Sequence, residues 1–465
     1  MHRTGRSSAP LHNLSIQINT STVLDKYPGA ECNNPKHVDE PDCHVTYEIE
    51  HDRLTLWLPP IDPRRVVWVG RGSTTDEALE KYDIDDAKYT NRLETFLKQK
   101  LRSSNSKLFV LHVDQAPIDL TDNSSIDHEH LQPAVDACRV IKDDHEIKLI
   151  KKANAISAAA HTEVLRNLRR FRNEAQVEAR FLDVCVANDA KHQAYEIIAG
   201  SGTNASILHY VKNNEPFGDR QLMCLDAGAE WQLYASDVTR TFPLSGNWPS
   251  KEAKEVYDLV QRMQTRCLNY IGPGKRFLSA HYLAHATAID GLMRLGILHN
   301  GTFMEIFQAG TQLAFFPHGL GHHLGLEVHD VSPLTTASTL PLQTSELPTL
   351  ELIAEPDLEM VLSLASALPE YDPGLSLCSA PAPRLKPGMV ITVEPGIYFN
   401  PYALDNIYLK HPVHSKYINK EVLKRYMPVG GVRIEDDILI TEEGYENLTT
   451  APKGEEALRI ISGGA

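Results

Sequence analysis

The stretch LDAGAEWQLYASDVTRTFP, residues 225–243, contains two aspartates in sequence that is otherwise typical of strands. Asp226 ends an apolar run before the turn-like AGAE, and Asp237 follows eleven positions later. A hairpin can bring two such positions together. Because a buried carboxylate needs a cation or a proton, the stretch predicts an antiparallel hairpin that holds two acids at one charged site.

Length and composition narrow the class of protein. A chain of 465 residues exceeds what one compact core usually supports, which predicts two domains. The apolar fraction of 42% and the charged fraction of 23% are ordinary for a soluble globular protein. The formal net charge of -15 disfavours nucleic acid or an anionic membrane as the main partner.

The cysteines and the apolar segments predict the compartment. Seven cysteines are scattered along the chain without a CxxC pair, which favours isolated thiols in a reducing compartment over disulfides or a thiolate zinc site. The opening MHRTGRSSAPLHNLSIQ contains no apolar signal region, and no stretch approaches eighteen apolar residues. We therefore expect a cytoplasmic protein.

The pattern along the chain predicts three regions. Residues 1–45 are polar and are expected to be partly disordered, residues 46–136 alternate short strands with helices as in a small α/β domain, and residues 137–465 form an α+β domain with mostly antiparallel strands. A long amphipathic helix opens that domain, and further helices are predicted near 174–189, 252–270 and 278–295. Residues 331–385 follow no clean pattern and are predicted to contain a surface insertion.

A second stretch, HGLGHHLGLEVHD at residues 318–330, contains four histidines. His318 and His322 are four apart, as in HExxH zinc sites, but Gly319 replaces the glutamate that such a site uses as a base. The glycines favour a loop or strand over a helix. Any further metal ligands must therefore come from elsewhere in the chain.

Two glutamates complete a set of acids in apolar sequence. Glu394 ends MVITVE before a turn, and Glu435 lies in GVRIEDDILI. Each acid alone is explained by a strand end or a solvent-facing position, but four together with a histidine favour a metal site. Two aspartates and two glutamates balance two divalent ions, and oxygen ligands with one imidazole suit Mn²⁺ better than structural zinc. Paired metals can hold a hydroxide and polarise a carbonyl, which is the chemistry of amide or ester hydrolysis.

These motifs resemble those of the pita-bread (creatinase/aminopeptidase) metallopeptidases, and within them the proline-specific branch of aminopeptidase P and prolidase. The resemblance rests on the two stretches above, TVEPGIY, GVRIED, YEIIAGSGTNASILHY and GYENLTTAPK, and it covers roughly residues 46–460. It implies a pita-bread catalytic domain behind a smaller α/β domain, with two manganese ions. The first 45 residues do not resemble the family's opening strand and helix, which leaves open whether the smaller domain is complete.

The same resemblance implies a role for each candidate residue. Asp237 and Glu435 would bridge the metals, Asp226 would bind one, and His322 with Glu394 would bind the other. Glu394 would also act as the general base. His209, His318, His329 and Tyr398 are expected to bind substrate or to support its binding. A catalytic role is also expected for Arg433 and for His318 and His329, the two histidines by stabilising the reacting centre. Hydrogen bonds within the loop remain an alternative for the histidines, a structural salt bridge for Arg433 and core packing for Tyr398, and no role is expected for His323.

The predicted activity is release of the amino-terminal residue from peptides with proline second, through attack by a hydroxide that bridges two metal ions. The scissile bond is then a tertiary amide without an N–H. An Xaa-Pro dipeptidase is the close alternative, and a methionine aminopeptidase shares the ligands but usually lacks the amino-terminal domain and GLEVHD. A metal-free binding module of the same fold is the alternative outside enzymes. Peptides are the expected partners, and neither nucleic acid nor membrane is expected. The sequence leaves the oligomeric state open, with a homo-oligomer as one alternative.

Overall fold

The computed structural model describes residues 14–19, 40–102, 106–111, 126–331 and 384–463. The chain packs as two compact units, Met1–Arg139 and Val140–Ala465. The boundary lies three residues beyond the predicted one at residues 136 and 137. The predicted insertion at 331–385 falls almost wholly on residues outside the described ranges. Within those ranges, no helix has the length and apolar character needed to cross a bilayer.

The amino-terminal unit is built on a mixed six-stranded sheet in the order β4-β3-β2-β1-β5-β6. Antiparallel pairing joins β1 to β2 and β2 to β3, and the other neighbours are parallel. The strands are β1 Leu14–Asn19, β2 His44–Glu48, β3 Arg53–Leu58, β4 Asp86–Tyr89, β5 Lys107–Val110 and β6 Ile126–Asp127. The helices are α1 Pro63–Val69, α2 Thr75–Lys81, α3 Leu93–Lys100 and α4 Leu131–Val140.

The predicted start of this unit at residue 46 is too late. Leu14–Asn19 is an inner strand of the sheet, paired with β2 on one side and β5 on the other. Its sequence LSIQIN alternates apolar and polar residues, as a strand does. The surrounding Ser, Asn and Pro residues made the whole segment look polar, so a strand of six residues was missed.

The second unit combines long helices with short antiparallel strands, as predicted. Its sheets have the orders β11-β8-β7 and β12-β15-β16, and two further strand pairs join β9 to β10 and β13 to β14. The strands are β7 Ile198–Ser201, β8 Leu222–Asp226, β9 Glu230–Trp231, β10 Tyr234–Ala235, β11 Thr239–Pro243, β12 Val390–Val393, β13 Gly396–Tyr398, β14 Gly431–Arg433, β15 Asp436–Ile440 and β16 Tyr445–Asn447.

The four helices that the sequence predicts in this unit are present, as Asp144–Asn167, Glu174–Ala187, Lys251–Tyr270 and Phe277–Arg294, and five shorter ones were not predicted. The α5 helix starts at a capping box. The Asp143 side chain accepts from the His145 and Glu146 amides, and the Glu146 side chain accepts from the Asp143 amide. Apolar faces of α7 and α8 cover the main core. The helices are α5 Asp144–Asn167, α6 Glu174–Ala187, α7 Lys251–Tyr270, α8 Phe277–Arg294, α9 Phe303–Ala309, α10 Pro401–Ala403, α11 His414–Tyr417, α12 Lys420–Tyr426 and α13 Glu455–Ile461.

Candidate metal centre

The predicted hairpin carries the two aspartates. Asp226 is the last residue of β8 and pairs with Thr239, the first residue of β11, while the small β9–β10 hairpin fills the connection. Asp237 lies two residues before β11. Both carboxylates are buried. The apolar residues of β8 anchor this edge in the core, so the acids lie at a fixed position beside it.

The histidine stretch is an extended loop, as its glycines predict, and it runs beside β12. The Thr392 amide donates to the His322 carbonyl at 2.9 Å, and the Glu394 amide donates to the Leu320 carbonyl at 2.8 Å. A Cβ on Gly321 would lie 2.1 Å from the Thr392 carbonyl oxygen, so this approach requires glycine. The loop therefore brings His322 beside the strand that ends before Glu394.

Glu435 lies in the short link between two consecutive strands, β14 and β15, which pair with different partner strands. The β14 strand pairs with β13, whereas β15 pairs with β12, and residues 434–435 between them belong to neither strand. The Glu435 amide donates to the Thr239 carbonyl at 3.1 Å, and the Thr239 hydroxyl donates to Glu435 Oε2 at 2.6 Å. Glu435 Oε1 is buried without a hydrogen-bond partner among the described residues. That oxygen is available for a cation.

The ligand atoms of Asp237, His322 and Glu435 all lie within 4.8 Å of one another. His322 Nε2 is 3.4 Å from Asp237 Oδ2 and 3.5 Å from Glu394 Oε1. His322 Nδ1 lies 2.9 Å from the His323 carbonyl oxygen, to which it donates. This bond leaves Nε2 facing the acids, which is the ring orientation that a metal ligand needs.

The carboxylates of this site would carry more negative charge than the neighbouring positive side chains neutralise. Burial raises the pKa of Glu435 well above its ordinary value, and Asp237 and Glu394 add to the rise. Burial also raises the pKa of Glu394 to about 8 and raises that of Asp226. Asp237 differs, because the hydrogen bond and charge of His322 outweigh its burial and lower its pKa. A cation would supply the missing positive charge.

The pKa of His322 responds to the same acids. Burial opposes a charge on the ring, but the hydrogen bond to Asp237 and the charge of Glu394 outweigh it and raise the pKa of His322 to about 9. The ring therefore supplies positive charge beside Asp237 and Glu394, in addition to Arg433 beside Asp226. A divalent ion would replace its proton, because a metal ligand must be the neutral imidazole.

Arg433 links one metal-ligand candidate to two of the predicted pocket residues. Its Nη2 donates to Asp226 Oδ2 at 2.6 Å, and its Nη1 donates to the Tyr398 hydroxyl oxygen at 2.9 Å. The Tyr398 hydroxyl lies 2.9 Å from His318 Nε2, and His318 Nδ1 lies 2.8 Å from the Gly319 carbonyl oxygen. With Nδ1 protonated toward that carbonyl, Nε2 accepts the Tyr398 proton. Burial, reinforced by Arg433, lowers the pKa of His318 to about 3, so the ring is neutral.

Two other predicted pocket histidines lie at the rim of the site. His329 is exposed, and its ring packs edge-on against His322 with centroids 4.2 Å apart. His209 is also exposed and lies close enough for its charge to lower the pKa values of His318 and His329. His323, by contrast, is buried, and its backbone forms an isolated antiparallel β-bridge with Ile391. Contact with substrate remains a prediction for His209, His318 and His329.

Three supporting residues were not assigned a role from the sequence. Tyr195 donates to Asp226 Oδ1 at 2.6 Å, and Thr239 holds Glu435 as described above. Asp437 Oδ2 accepts from the Asp237 amide at 2.9 Å, so Asp437 holds the backbone of a ligand candidate. In the sequence, Tyr195 begins a motif of the family resemblance and Thr239 lies two residues after Asp237. These positions draw attention to both residues, but they do not predict which carboxylate each one binds.

Models of two known domains match the sequence. Metallopeptidase family M24 matches residues 148–442, and the amino-terminal domain of aminopeptidase P matches residues 37–109. The chain is 55% identical over 436 residues to a probable Xaa-Pro aminopeptidase of Pyrenophora tritici-repentis, covering 92% of this chain and 64% of the relative. It is 50% identical over 430 residues to a probable Xaa-Pro aminopeptidase of Uncinocarpus reesii, covering 92% and 98%.

The chain spans 64% and 46% of two Pyrenophora relatives. Among solved structures, Escherichia coli aminopeptidase P with the inhibitor Pro-Leu matches with a TM-score of 0.73 at 26% identity, covering 97% of this chain and 94% of the other. The zinc-substituted E. coli enzyme in complex with product matches with a TM-score of 0.71 at 27% identity, with the same coverage. The predicted fold, a pita-bread domain with a smaller amino-terminal domain, is confirmed.

Proposed function

This chain belongs to metallopeptidase family M24, and we propose that it releases the amino-terminal residue from peptides whose second residue is proline. The observation that carries the proposal is the group of buried Asp237, half-buried His322 and buried Glu435, with Glu394 beside it and a Glu435 oxygen that has no partner among the described residues. The relatives named probable Xaa-Pro aminopeptidase, and the E. coli enzyme with the inhibitor Pro-Leu, support the substrate class. An Xaa-Pro dipeptidase is not favoured by these relatives.

The donor set fits two divalent cations. The ligands would be Asp226, Asp237, His322, Glu394 and Glu435, whose four carboxylates match the charge of two such ions. Asp226 already accepts from Tyr195 and Arg433, but a carboxylate has about four lone-pair positions and retains capacity for a metal. Oxygen-rich coordination with one imidazole supports manganese. When bound, the ions would polarise the scissile carbonyl and make water a stronger acid.

Glu394 is placed to handle the proton of the attacking water. Its Oε1 lies 3.5 Å from His322 Nε2, and its Oε2 lies 3.8 Å from His318 Nδ1. Its carboxylate therefore lies close both to the proposed ligand His322 and to the predicted pocket residue His318. In our proposal Glu394 takes a proton from water and delivers it to the leaving proline nitrogen, as a general base and then a general acid.

The rim histidines are proposed to bind the peptide. His209 and His329 are exposed beside the ligand group, where they can donate to the peptide backbone or to the developing oxyanion. His318 already has two protein partners, so it reaches substrate by exchanging its hydrogen bond to Tyr398. Arg433 holds Tyr398 and Asp226 together, and its proposed role is to orient these two groups.

The test is hydrolysis of matched peptides by the purified protein loaded with Mn²⁺. Xaa-Pro-Xaa tripeptides should be cleaved after the first residue, and Xaa-Ala-Xaa peptides should be cleaved much more slowly. The Glu435→Gln variant should be inactive, whereas Glu446→Gln, a change at an exposed surface pair, should keep wild-type activity. Equal hydrolysis of both peptide series, or a protein that binds no divalent ion, would exclude the proposal. A cytoplasmic location and self-association remain predictions.

A further inference from the structure

A buried ion pair outside the ligand set joins the histidine loop to the start of the catalytic unit. Lys142 Nζ lies 2.8 Å from Asp330 Oδ2, and both side chains are 0% exposed. Asp330 directly follows His329, and Lys142 precedes α5. Charges removed from water are costly unless their geometry and hydrogen bonds are good. A pair as deeply buried as this one is expected to hold the segments that carry it in a fixed position.

The Asp330 carboxylate lies beneath the loop and closes it. Asp330 Oδ1 accepts from the Glu327 amide at 3.3 Å, and the Asp330 amide donates to the His323 carbonyl at 3.0 Å. A Cβ on Gly325 would lie 2.6 Å from Asp330 Oδ2, so glycine is needed for this close approach. The loop that starts beside His322 is thus folded around one carboxylate.

Lys142 connects that carboxylate to the strand that leads to Glu394. Its amide donates to the Gly388 carbonyl at 2.8 Å, two residues before β12 begins, while its side chain reaches Asp330. The loop also bonds to the aspartate hairpin, because the Ala235 amide donates to the Gly325 carbonyl at 2.8 Å. Three chain segments that carry ligands therefore meet around this ion pair.

We propose that the Lys142–Asp330 pair is a positioning device that fixes the loop of His322 and His329 relative to Glu394. Neither residue belongs to the ligand set or to the proposed substrate contacts, so both act through the loop. The inference rests on the proposed function for its kinetic readout, and on metal affinity for a readout that needs no substrate. Residues that support ligands typically change metal affinity or activity by about 10–100-fold when mutated.

The experiment compares Lys142→Met, Asp330→Asn and the double variant with the wild type as metal-loaded full chains. Each single variant removes one charge of the ion pair and leaves the other buried, so it should lower Tm. The double variant removes both charges, so its Tm should recover toward the wild-type value. If the pair positions the loop, Mn²⁺ affinity and kcat in the double variant should remain about tenfold or more below wild type, with KM changed less than kcat. The control is the double variant Lys151→Met with Glu446→Gln, which removes an exposed ion pair from the same unit. It should change neither Mn²⁺ affinity nor kcat.

Hydrogen exchange distinguishes positioning from general stability. Amides of residues 319–331 should exchange faster in the double variant, while those of α7 and α8 keep their protection. Recovery of Mn²⁺ affinity and kcat together with Tm would overturn the proposal, and so would faster exchange throughout the catalytic unit. If the wild type cleaves no Xaa-Pro peptide, the proposed function fails, but metal affinity and exchange still decide whether the pair positions the loop.

Discussion

At the scale of single residues, the site depends on buried atoms whose charge is unbalanced. Glu435 has one oxygen bonded to Thr239 and one oxygen without a partner among the described residues. Asp237 has its amide held by Asp437 and its carboxylate beside His322. A polar group buried in this way is costly without a partner. Loss of either carboxylate should therefore act first on cation binding.

The first prediction concerns the two carboxylates proposed to bridge the metals. Asp237→Ala and Glu435→Ala should each abolish hydrolysis and lower the metal content, because each change removes a charge shared by two cations. Metal analysis of the purified variants and assays on an Xaa-Pro tripeptide would test this. Near-normal activity in either variant with metal present would contradict a dinuclear site.

The second prediction separates the histidines by their contacts. His322→Ala should lose metal at one site together with activity, because its Nε2 faces Asp237 and Glu394. His318→Ala and His329→Ala should keep the metals and lower kcat, on the order of 10²–10³-fold for His329→Ala if that ring donates to the oxyanion. Metal stoichiometry and kcat for each variant provide the measurement. Metal loss in His318→Ala but not in His322→Ala would reverse the assignment.

His323 is the internal comparison for that series. Its ring is buried, so His323→Ala should leave a cavity and lower Tm. We expect kcat and metal stoichiometry to remain close to wild type, because the bond from His322 Nδ1 goes to the His323 backbone carbonyl. A large change in metal content would show that this neighbour has a direct chemical role.

At the scale of elements, the histidine loop behaves as an additional strand beside β12. Backbone bonds join His322 to Thr392, Leu324 to Val390 and Glu394 to Leu320. Glycine allows the two backbones to approach so closely. A loop bonded at successive positions has little freedom to slide, so His322 and Glu394 keep their separation.

The third prediction tests this close approach. Gly321→Ala would place a Cβ 2.1 Å from the Thr392 carbonyl oxygen, so the loop must move away from β12. We expect a lower Tm and weaker Mn²⁺ binding, measured by thermal denaturation and metal titration. Gly444→Ala is the matched control, since a Cβ there meets no atom within 4 Å. Unchanged Mn²⁺ affinity in Gly321→Ala would show that the loop position does not set the site.

At the scale of the whole molecule, two compact units divide the chain. The second unit contains every proposed ligand, and the first is a mixed sheet with its own helices. Metallopeptidase family M24 matches the second unit, and the amino-terminal domain of aminopeptidase P matches the first. The presence of both domains favours the proposed Xaa-Pro aminopeptidase over a methionine aminopeptidase, which usually lacks the smaller one.

The fourth prediction concerns substrate length. Tripeptides and longer peptides that begin Xaa-Pro should be cleaved at least as well as Xaa-Pro dipeptides, in line with the relatives named probable Xaa-Pro aminopeptidase. Comparison of kcat/KM for a dipeptide, a tripeptide and a pentapeptide with the same first two residues would test it. Strict preference for the dipeptide would move the assignment to an Xaa-Pro dipeptidase.

Local patterns in the sequence predict the long helices of the second unit and the residue types of the site, whereas β1 was missed. Helical spacing predicted α5 to α8, glycines predicted a loop at the histidine stretch, and acids in apolar runs predicted a metal site. These features are local, because each depends on residues a few positions apart. The hairpin of Asp226 and Asp237 was predictable for the same reason.

Packing between distant segments sets which of these groups meet. The Lys142–Asp330 pair joins residues 188 positions apart, and Tyr195 reaches Asp226 across 31 positions. The change of strand partner at Glu435 depends on β12 and β13, which lie in another part of the chain. No local pattern encodes such contacts, because they exist only after distant segments have packed. The types of ligand could therefore be predicted from the sequence, whereas the groups that hold them in place follow from the packing.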